Sequence, residues 1–589
     1  MVDPTMADEL EELPSGAPEH AAAASTRGAM ATTRRWVMFI MGGSLSNWRA
    51  CSISGIRREQ SGCFVGNERA TEAFSARRHL IEHDPTWIRR SSPGRQRSRP
   101  VASLLAPARE KISCNVTSHD RRLVLSAATL ERDPSMMKPS ASLTEGPITK
   151  TLVFFSLPIL ASNVLQSLNG SINSVWVGRY LGGAALTATS NTNTILFFLI
   201  GTVFGVGMAA TILIGQSLGA KDVDQAKRIV GTSATFFFAV SVAVSVFGYA
   251  FSGPMLHAMR TPPDALLFAI AYMRVIFLAV PFIFLNAFVM MSLRGAGDSK
   301  TPLVFALVAV GLDIALNPLF IFGLGPMPAF GIAGAAGSTL IANAVSLFAI
   351  LFHLRRRNHF LWLKRAELSY FRIDRRILRA LVTKGIPIGL QMIVLSGSAV
   401  VMITLVNGFG SATSSAFGAG LQIWNYVQMP AMAIGMSVSS MAAQNVGAKR
   451  WDRVARIAGV GVAYSFLVTV GLALVIFAFD RGALSLFLTD PAAIKIGQHL
   501  NPIVIASFTF FGISMVLSGV VRSTGAVVPP LIILFTSLWV VRIPFAWVML
   551  PRWHADAIWW SFPLASVLAA LLSTAYYRYG GWKKAHMLR

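Results

Sequence analysis

The segment Gln216-Ser-Leu-Gly-Ala-Lys-Asp-Val-Asp-Gln-Ala-Lys-Arg228 recurs 228 residues later as Gln444-Asn-Val-Gly-Ala-Lys-Arg-Trp-Asp-Arg-Val-Ala-Arg456. Further pairs recur at the same spacing or one residue more: Arg294-x-x-Gly297 with Arg522-x-x-Gly525, Pro302-Leu303 with Pro530-Leu531, and Pro158-Ile159 with Pro387-Ile388. Matches of this number at one spacing indicate two copies of one structural unit.

The composition around the repeat is that of a membrane protein. The 589 residues are 53% hydrophobic and 13% charged, with a mean hydropathy of +0.56, whereas soluble domains are about 25% charged. Twelve apolar stretches are each long enough to cross a bilayer core of about 30 Å. They are 151–176, 187–214, 229–255, 265–292, 302–324, 330–353, 378–406, 413–442, 455–479, 493–520, 527–550 and 557–577. Each copy holds six spans, an even number, so both copies insert the same way up. We predict an all-α membrane protein with 12 transmembrane helices in two six-helix bundles related by a pseudo-twofold axis.

The net charge of +25 follows the predicted topology. Even-numbered loops and both ends hold 26 Lys and Arg residues, against five in the odd-numbered loops. Because cytoplasmic loops are enriched in Lys and Arg, both termini are predicted to be cytoplasmic. Topology thus explains the basic balance, and we expect no nucleic-acid partner. The alternative, that the basic stretch 355–384 binds RNA or anionic lipid, is less favoured.

The chain divides into five parts by composition. They are an N-terminal extension (1–135), an N-lobe with spans 1–6 (145–355), a basic cytoplasmic linker (356–377), a C-lobe with spans 7–12 (378–580) and a cytoplasmic tail (581–589). The extension holds all three cysteines, at spacings that match no metal or redox motif, and lacks an apolar run that could span a membrane. We interpret it as disordered or as lying upstream of the true start, at Met136 or Met137.

One carboxylate lies in the middle of a predicted span. Asp313 follows Pro302 by 11 residues, or roughly 16 Å of helix, which places it near the bilayer midplane. Asn317 shares its helix face, and Pro318 leaves the carbonyl of residue 314 without its usual donor. An ionisable group at this depth is costly and usually functional, so the group could bind a proton, a cation or water. The alternative is a structural carboxylate neutralised by a packing hydrogen bond or by Arg274.

Amide side chains mark a candidate cavity. Asn163, Gln166 and Asn173 share one face of the first span; the alternative is hydrogen bonding between helices. Other polar candidates are Asn286 and Thr339 in the first half and Gln391, Gln422 and Asn425 in the second half. Two span arginines, Arg274 and Arg542, are interpreted as packing groups. The body shows no zinc-spaced cluster or catalytic triad, so we expect no enzyme activity, no metal and no cofactor.

These features resemble the multidrug and toxic compound extrusion (MATE) family over about residues 145–580. The residues that carry the resemblance are Pro158, Trp176-Val-Gly178-Arg179-x-Leu-Gly182, the paired Gln-x-x-Gly-Ala boxes, Arg294-Gly-Ala-Gly-Asp298-Ser-Lys-Thr-Pro302, Asn317-Pro-Leu-Phe-Ile-Phe-Gly323 and Arg542-Ile-Pro544. The resemblance implies a secondary antiporter in the plasma (inner) membrane. It would export amphipathic, mostly cationic small molecules in exchange for protons or sodium ions by alternating access. We expect a monomer in the lipid bilayer.

The resemblance also assigns roles, with departures from the family pattern. Asn173 stands where members with an N-lobe acid site usually have Asp, and the order Asp313-x-x-x-Asn317-Pro exchanges the two residue types of the usual Asn-x-x-x-Asp-Pro. We expect Asp313, Asn317 and Asn173 to couple the ion, and the other amides and Thr339 to line the substrate cavity. Protons are favoured because one carboxylate makes a sparse sodium site. The alternative function is a flippase for lipid-linked precursors, which would need a cationic cavity.

Overall fold

A computed structural model of the protein describes residues 143–323 and 328–588. The predicted extension 1–135 lies outside these residues. Within them the chain is helical, with no strand. Ten helices in this part of the chain have the length and hydropathy to cross a membrane.

The first lobe contains spans 1 to 6. Spans 1 and 2 form one long helix, Ile148–Gly219, interrupted at Gly182 with φ 85° and ψ 179°. Only glycine adopts this conformation readily, so the predicted loop between these spans is reduced to a single residue. Spans 3 to 6 are Val223–Ala258, Pro263–Gly295, Lys300–Phe322 and Gly331–Arg356.

The second lobe contains spans 7 to 12. Spans 7 to 10 are Arg375–Asn407, Ser411–Gly447, Trp451–Ala478 and Pro491–Arg522, with a short helix, Asp480–Ser485, before span 10. Span 11 is made of Val528–Phe535, a π-helical segment Thr536–Arg542 and Ile543–Trp553, and span 12 is Ala555–Tyr579. The division of the first long helix and the more polar span 8 complete the twelve spans within the described residues. The predicted two-bundle architecture is confirmed.

The starts of spans 1 and 7 each pack against the opposite lobe. Leu152 and Ile159 of span 1 share a buried core with Val438 of span 8. Ile377 of span 7 belongs to the core of the N-lobe. Lipid gives helices no hydrophobic reason to associate, so close approach depends on small residues. Accordingly, a side chain at Gly205 in span 2 would collide with the backbone of span 7.

The linker and tail are also ordered against the helices. A 3₁₀ helix, Arg365–Phe371, lies in the linker, and Glu367 there accepts a hydrogen bond and ion pair from Lys227 Nζ at 2.6 Å. In the tail, Trp582 is buried, and its carbonyl accepts a hydrogen bond from Thr524. These contacts join the connecting segments to the ends of spans 3 and 10.

Candidate functional site

Asp313 lies in span 5 with 2% of its surface exposed. Three side chains from two other spans donate hydrogen bonds to it. Asn169 Nδ2 of span 1 donates to Oδ2 at 2.8 Å, and Ser338 Oγ and Thr339 Oγ1 of span 6 donate to Oδ1 at 2.8 and 3.2 Å. The carboxylate therefore joins spans 1, 5 and 6 at one point.

No cation neutralises this carboxylate among the residues that the structure describes. Arg274 instead donates to Ser252 Oγ at 3.2 Å and lies over the ring of Tyr249. The predicted alternative of an Asp313–Arg274 pair is therefore wrong. A buried carboxylate without a counter-charge is stabilised by its hydrogen bonds alone.

Ser338 has a second acceptor within reach. Its Oγ lies 2.8 Å from the carbonyl of Ala335 as well as 2.8 Å from Asp313 Oδ1. A hydroxyl has one proton to donate and lone pairs that accept. Ser338 can therefore donate to an ionised Asp313. When Asp313 is protonated, Ser338 can accept from it and donate to Ala335. Each protonation state of Asp313 therefore has a hydrogen-bond arrangement available to it at Ser338.

Three asparagine side-chain oxygens of spans 1 and 5 lack hydrogen-bond donors. Asn169 Oδ1, Asn173 Oδ1 and Asn317 Oδ1 are buried with no hydrogen-bond partner among the described residues. Asn317 Nδ2 donates to the backbone carbonyl of Asp313 at 3.0 Å. Carbonyl-type oxygens of this kind are ligands that hard cations prefer. No group of three or more His, Cys, Asp or Glu residues with metal-binding spacing is found in the described part of the chain.

A cavity of about 390 Å³ lies beside Asp313 within the N-lobe. Besides Asp313 itself, four residues predicted for the site line it: Gln166, Asn173, Asn286 and Thr339. Its remaining polar lining residues are Asn169, Ser174, Thr189, Asn193, Tyr272 and Asn343. Asn163 and Asn317 are not among the lining residues; the lining from span 1 begins at Gln166. Asn317 contacts the site only through the backbone of Asp313.

Several of the residues at the site were not assigned to it from the sequence. Asn169 is i−4 from Asn173 and i+3 from Gln166, so helical spacing could have identified it. Ser338 directly precedes Thr339, but a serine next to a predicted site residue does not by itself indicate a role at the site. Tyr272, buried in span 4, reaches the cavity through packing that local sequence does not encode.

A second cavity, of about 400 Å³, lies within the C-lobe. Gln422 and Asn425, both predicted for the substrate site, line it together with Arg542. Gln391 lies outside it, in a gap of about 50 Å³ between the lobes, where its Oε1 accepts a hydrogen bond from Arg522 at 2.9 Å. Apart from Asn163 and Asn317, the predicted residues are thus divided between two separate cavities and the gap between the lobes.

The paired Gln-x-x-Gly boxes hold the lobes together at one end. Gln216 Nε2 donates to the carbonyl of Ser523 in the C-lobe at 2.6 Å, and Gln444 Nε2 donates to that of Gly295 in the N-lobe at 3.0 Å. A Cβ atom at Gly219 would lie 2.7 Å from the carbonyl carbon of Gln444. The repeat therefore builds a symmetric closed contact.

The chain is similar in sequence and in structure to proteins of one known family. The MatE family profile matches residues 158–319 and 387–548. The probable multidrug resistance protein YoeA of Bacillus subtilis is 35% identical over 444 residues, 75% of this chain and 96% of YoeA. The multidrug export protein MepA of Staphylococcus aureus is 24% identical over 432 residues, 72% of this chain and 93% of MepA. An outward-facing multidrug resistance MATE family transporter of the MOP superfamily is similar with a TM-score of 0.70 and 20% identity, over 75% of this chain and 98% of that one.

Proposed function

Because this chain belongs to the MATE family of membrane transporters, we propose that it exports amphipathic, cationic small molecules in exchange for protons. The protein is a transporter and not an enzyme. Relatives named for multidrug resistance and multidrug export support the substrate class. A sodium ion is the alternative coupling ion, because amide oxygens near Asp313 could supplement its carboxylate.

The observation that carries proton coupling is the pair of acceptors around Ser338 Oγ. Asp313 Oδ1 and the Ala335 carbonyl each lie 2.8 Å from this hydroxyl. Gain or loss of a proton on Asp313 reverses the direction of the Ser338 hydrogen bond. It also changes the strength of the hydrogen bond that Asn169 of span 1 donates to the carboxyl group, because a charged acceptor makes the stronger bond. A bound proton shifts the conformational equilibrium only if its affinity differs between the two states. The junction of three spans at Asp313 supplies a means for such a difference.

Alternating access requires the closed end to open. The distribution of Lys and Arg residues among the loops assigns the C-terminal ends of span 2 and span 8, which bear Gln216 and Gln444, to the cytoplasm. Their hydrogen bonds to the opposite lobe hold this end shut, so we assign the conformation to the outward-facing part of the cycle. Both termini lie in the cytoplasm under this assignment, and the protein acts as a monomer in the plasma (inner) membrane.

The lipid-linked precursor flippase remains the second candidate, and one observation favours it. Arg542 lines the C-lobe cavity. A pyrophosphate would call for several cations, however, and no other Lys or Arg lines either lobe's cavity among the described residues. The cavity beside Asp313 is neutral or acidic, which suits a cationic compound better.

The test is transport by the purified protein in liposomes, with a pH gradient and a sodium gradient imposed separately against a panel of fluorescent cations. We expect uptake driven by the pH gradient alone. Uptake driven only by the sodium gradient would replace the proton with sodium. Uptake under neither gradient, with lipid-linked pyrophosphate translocated instead, would support the flippase.

A further inference from the structure

The C-lobe cavity contains a buried arginine. Arg542 is 6% exposed and ends the π-helical segment Thr536–Arg542 of span 11. Its guanidinium carbon lies 3.5 Å from the ring centroid of Phe562, so the cation is stacked on an aromatic face. π-helical turns inside helices often mark functional sites.

This arginine has no protein anion to neutralise it. Among the described residues, no Asp or Glu lines the cavity, and no ion pair or hydrogen bond involves the Arg542 guanidinium. Its Nε is buried without a partner. A desolvated cation without hydrogen bonds is costly, and the contact with Phe562 offsets only part of that cost. The missing partner is therefore expected to be a ligand.

The internal repeat makes the arginine the counterpart of Asp313. Pro302 of span 5 corresponds to Pro530 of span 11 at a spacing of 228 residues, and Asp313 would fall on Val541 at that spacing. A π-helical turn accommodates one additional residue in a helix, which brings Arg542 to the equivalent place. The two lobes thus place groups of opposite charge at equivalent depths, each beside its own cavity.

The other residues that line the C-lobe cavity indicate the chemistry of the rest of the ligand. Neutral hydrogen-bonding groups come from Ser396, Gln422, Asn425, Gln428, Ser507 and Ser537. Aromatic rings come from Phe417, Trp424 and Phe562, which pack edge to face with centroids 5.3 to 6.3 Å apart. A cavity with one cation, neutral polar groups and an aromatic wall fits an aromatic compound that carries a single carboxylate.

We propose that the C-lobe cavity contains an anion-binding site, in which Arg542 binds the carboxylate of an aromatic compound. The proposal rests on the proposed export function for its biological meaning. The binding itself is independent of any gradient. In this arrangement Asp313 binds the proton in the N-lobe, and Arg542 binds the anionic group of the aromatic compound in the C-lobe.

The experiment measures binding to the purified full chain in detergent by fluorescence polarisation. The probes are a xanthene dye with a free carboxylate and the methyl ester of the same dye, which lacks that anion. We expect the wild type to bind the free acid more tightly than the ester. Arg542→Gln should weaken the free acid roughly 10- to 100-fold and leave the ester nearly unchanged, and Arg542→Lys should recover part of the loss. Arg274→Gln, a span arginine outside both cavities, should change neither.

A second measurement uses the wild type alone. Acetate should displace the free acid and not the ester, which controls for ionic strength. Equal binding of the two dyes, no binding of the free acid, or equal weakening of both by Arg542→Gln would overturn the proposal. If selective binding holds while gradient-driven transport is absent, the proposed export function fails and the anion site stands. If transport proceeds without selective binding, the anion site at Arg542 fails and the proposed export function stands.

Discussion

Gly447 and Gln216 face each other across the two lobes so closely that a Cβ atom on Gly447 would lie 2.7 Å from the carbonyl carbon of Gln216. The equivalent residues of the other copy, Gly219 and Gln444, meet at the same distance. The repeated Gln-x-x-Gly segments of the two lobes therefore form the contact that closes one end of the molecule.

Replacing this glycine should open that end. We expect Gly447→Val to separate spans 2 and 8, because its side chain has no room beside the Gln216 backbone. Spin labels at positions 221 and 449 should then report a longer distance than in the otherwise wild-type chain, and transport should fall. Gly459→Val in span 9, where no atom lies within 4 Å of an added Cβ, is the control. An unchanged label distance in Gly447→Val would show that the contact does not hold the lobes.

Ser338 should matter to coupling through both of its hydrogen bonds. Ser338→Ala removes a donor to ionised Asp313 and an acceptor for the protonated form, while Thr339 remains. We expect pH-driven transport to fall roughly 5- to 150-fold, since a lost hydrogen bond at a buried charged group costs about 1–3 kcal/mol. Ser292→Ala, which removes a buried N-lobe hydroxyl without a hydrogen-bond partner in the described structure, should have little effect. Equal effects of the two changes would argue against a specific role for Ser338.

The linker should contribute stability that depends on pH. Burial raises the pKa of Glu367, but hydrogen bonds from Lys227 and from the Lys364 backbone outweigh it and hold the pKa below the ordinary 4.5. A depressed pKa adds stability above the unfolded-state value, and that stability is lost as the pH falls through the folded-state value.

We therefore expect Glu367→Gln to lower the free energy of unfolding by about 1 kcal/mol at pH 7. The difference from wild type should shrink below pH 4.5. Thermal unfolding in detergent at both pH values measures it. Adding Lys227→Met to Glu367→Gln should cost little more, because the pair is already broken. A Glu367→Gln effect that persists unchanged at low pH would rule out the charge as its cause.

Much of the fold follows from the sequence because a bilayer permits few solutions. Backbone groups in lipid must be paired within a helix, so apolar length and the 228-residue repeat predict spans and bundles. The long helix through Gly182 was not predicted, because loop composition and a glycine kink look alike in sequence.

The site was predictable where a residue is unusual for a membrane span or follows helix spacing. Asp313 was identified because a lone acid in an apolar span is costly. Asn163 was predicted to line the cavity because it shares a helix face with Gln166 and Asn173, but the part of span 1 that lines the cavity begins at Gln166. Ser338 belongs to span 6 and Asp313 to span 5, and no local sequence pattern predicts that the two side chains are in contact. Arg542 was interpreted as packing because its cavity is formed by residues far apart in the chain.

The topology can be tested independently of transport. In a chain without its native cysteines, single cysteines at Lys221 and Lys449 should react with a membrane-impermeant maleimide only in inside-out vesicles. Single cysteines at Arg260 and Asp490 should react only in right-side-out vesicles. Both sites of each pair lie at exposed loop positions. The opposite pattern would reverse the orientation that the charge distribution predicts.

The coupling role of Asp313 can be tested by measuring proton movement during substrate transport in liposomes containing Asp313→Asn. The amide keeps the size of the carboxyl group and cannot ionise. We predict that substrate-driven proton flux is lost in Asp313→Asn and retained in Asp264→Asn, a change at an exposed carboxylate in the first turn of span 4. A wild-type ratio of protons to substrate in Asp313→Asn would contradict the claim that this buried acid couples the two fluxes.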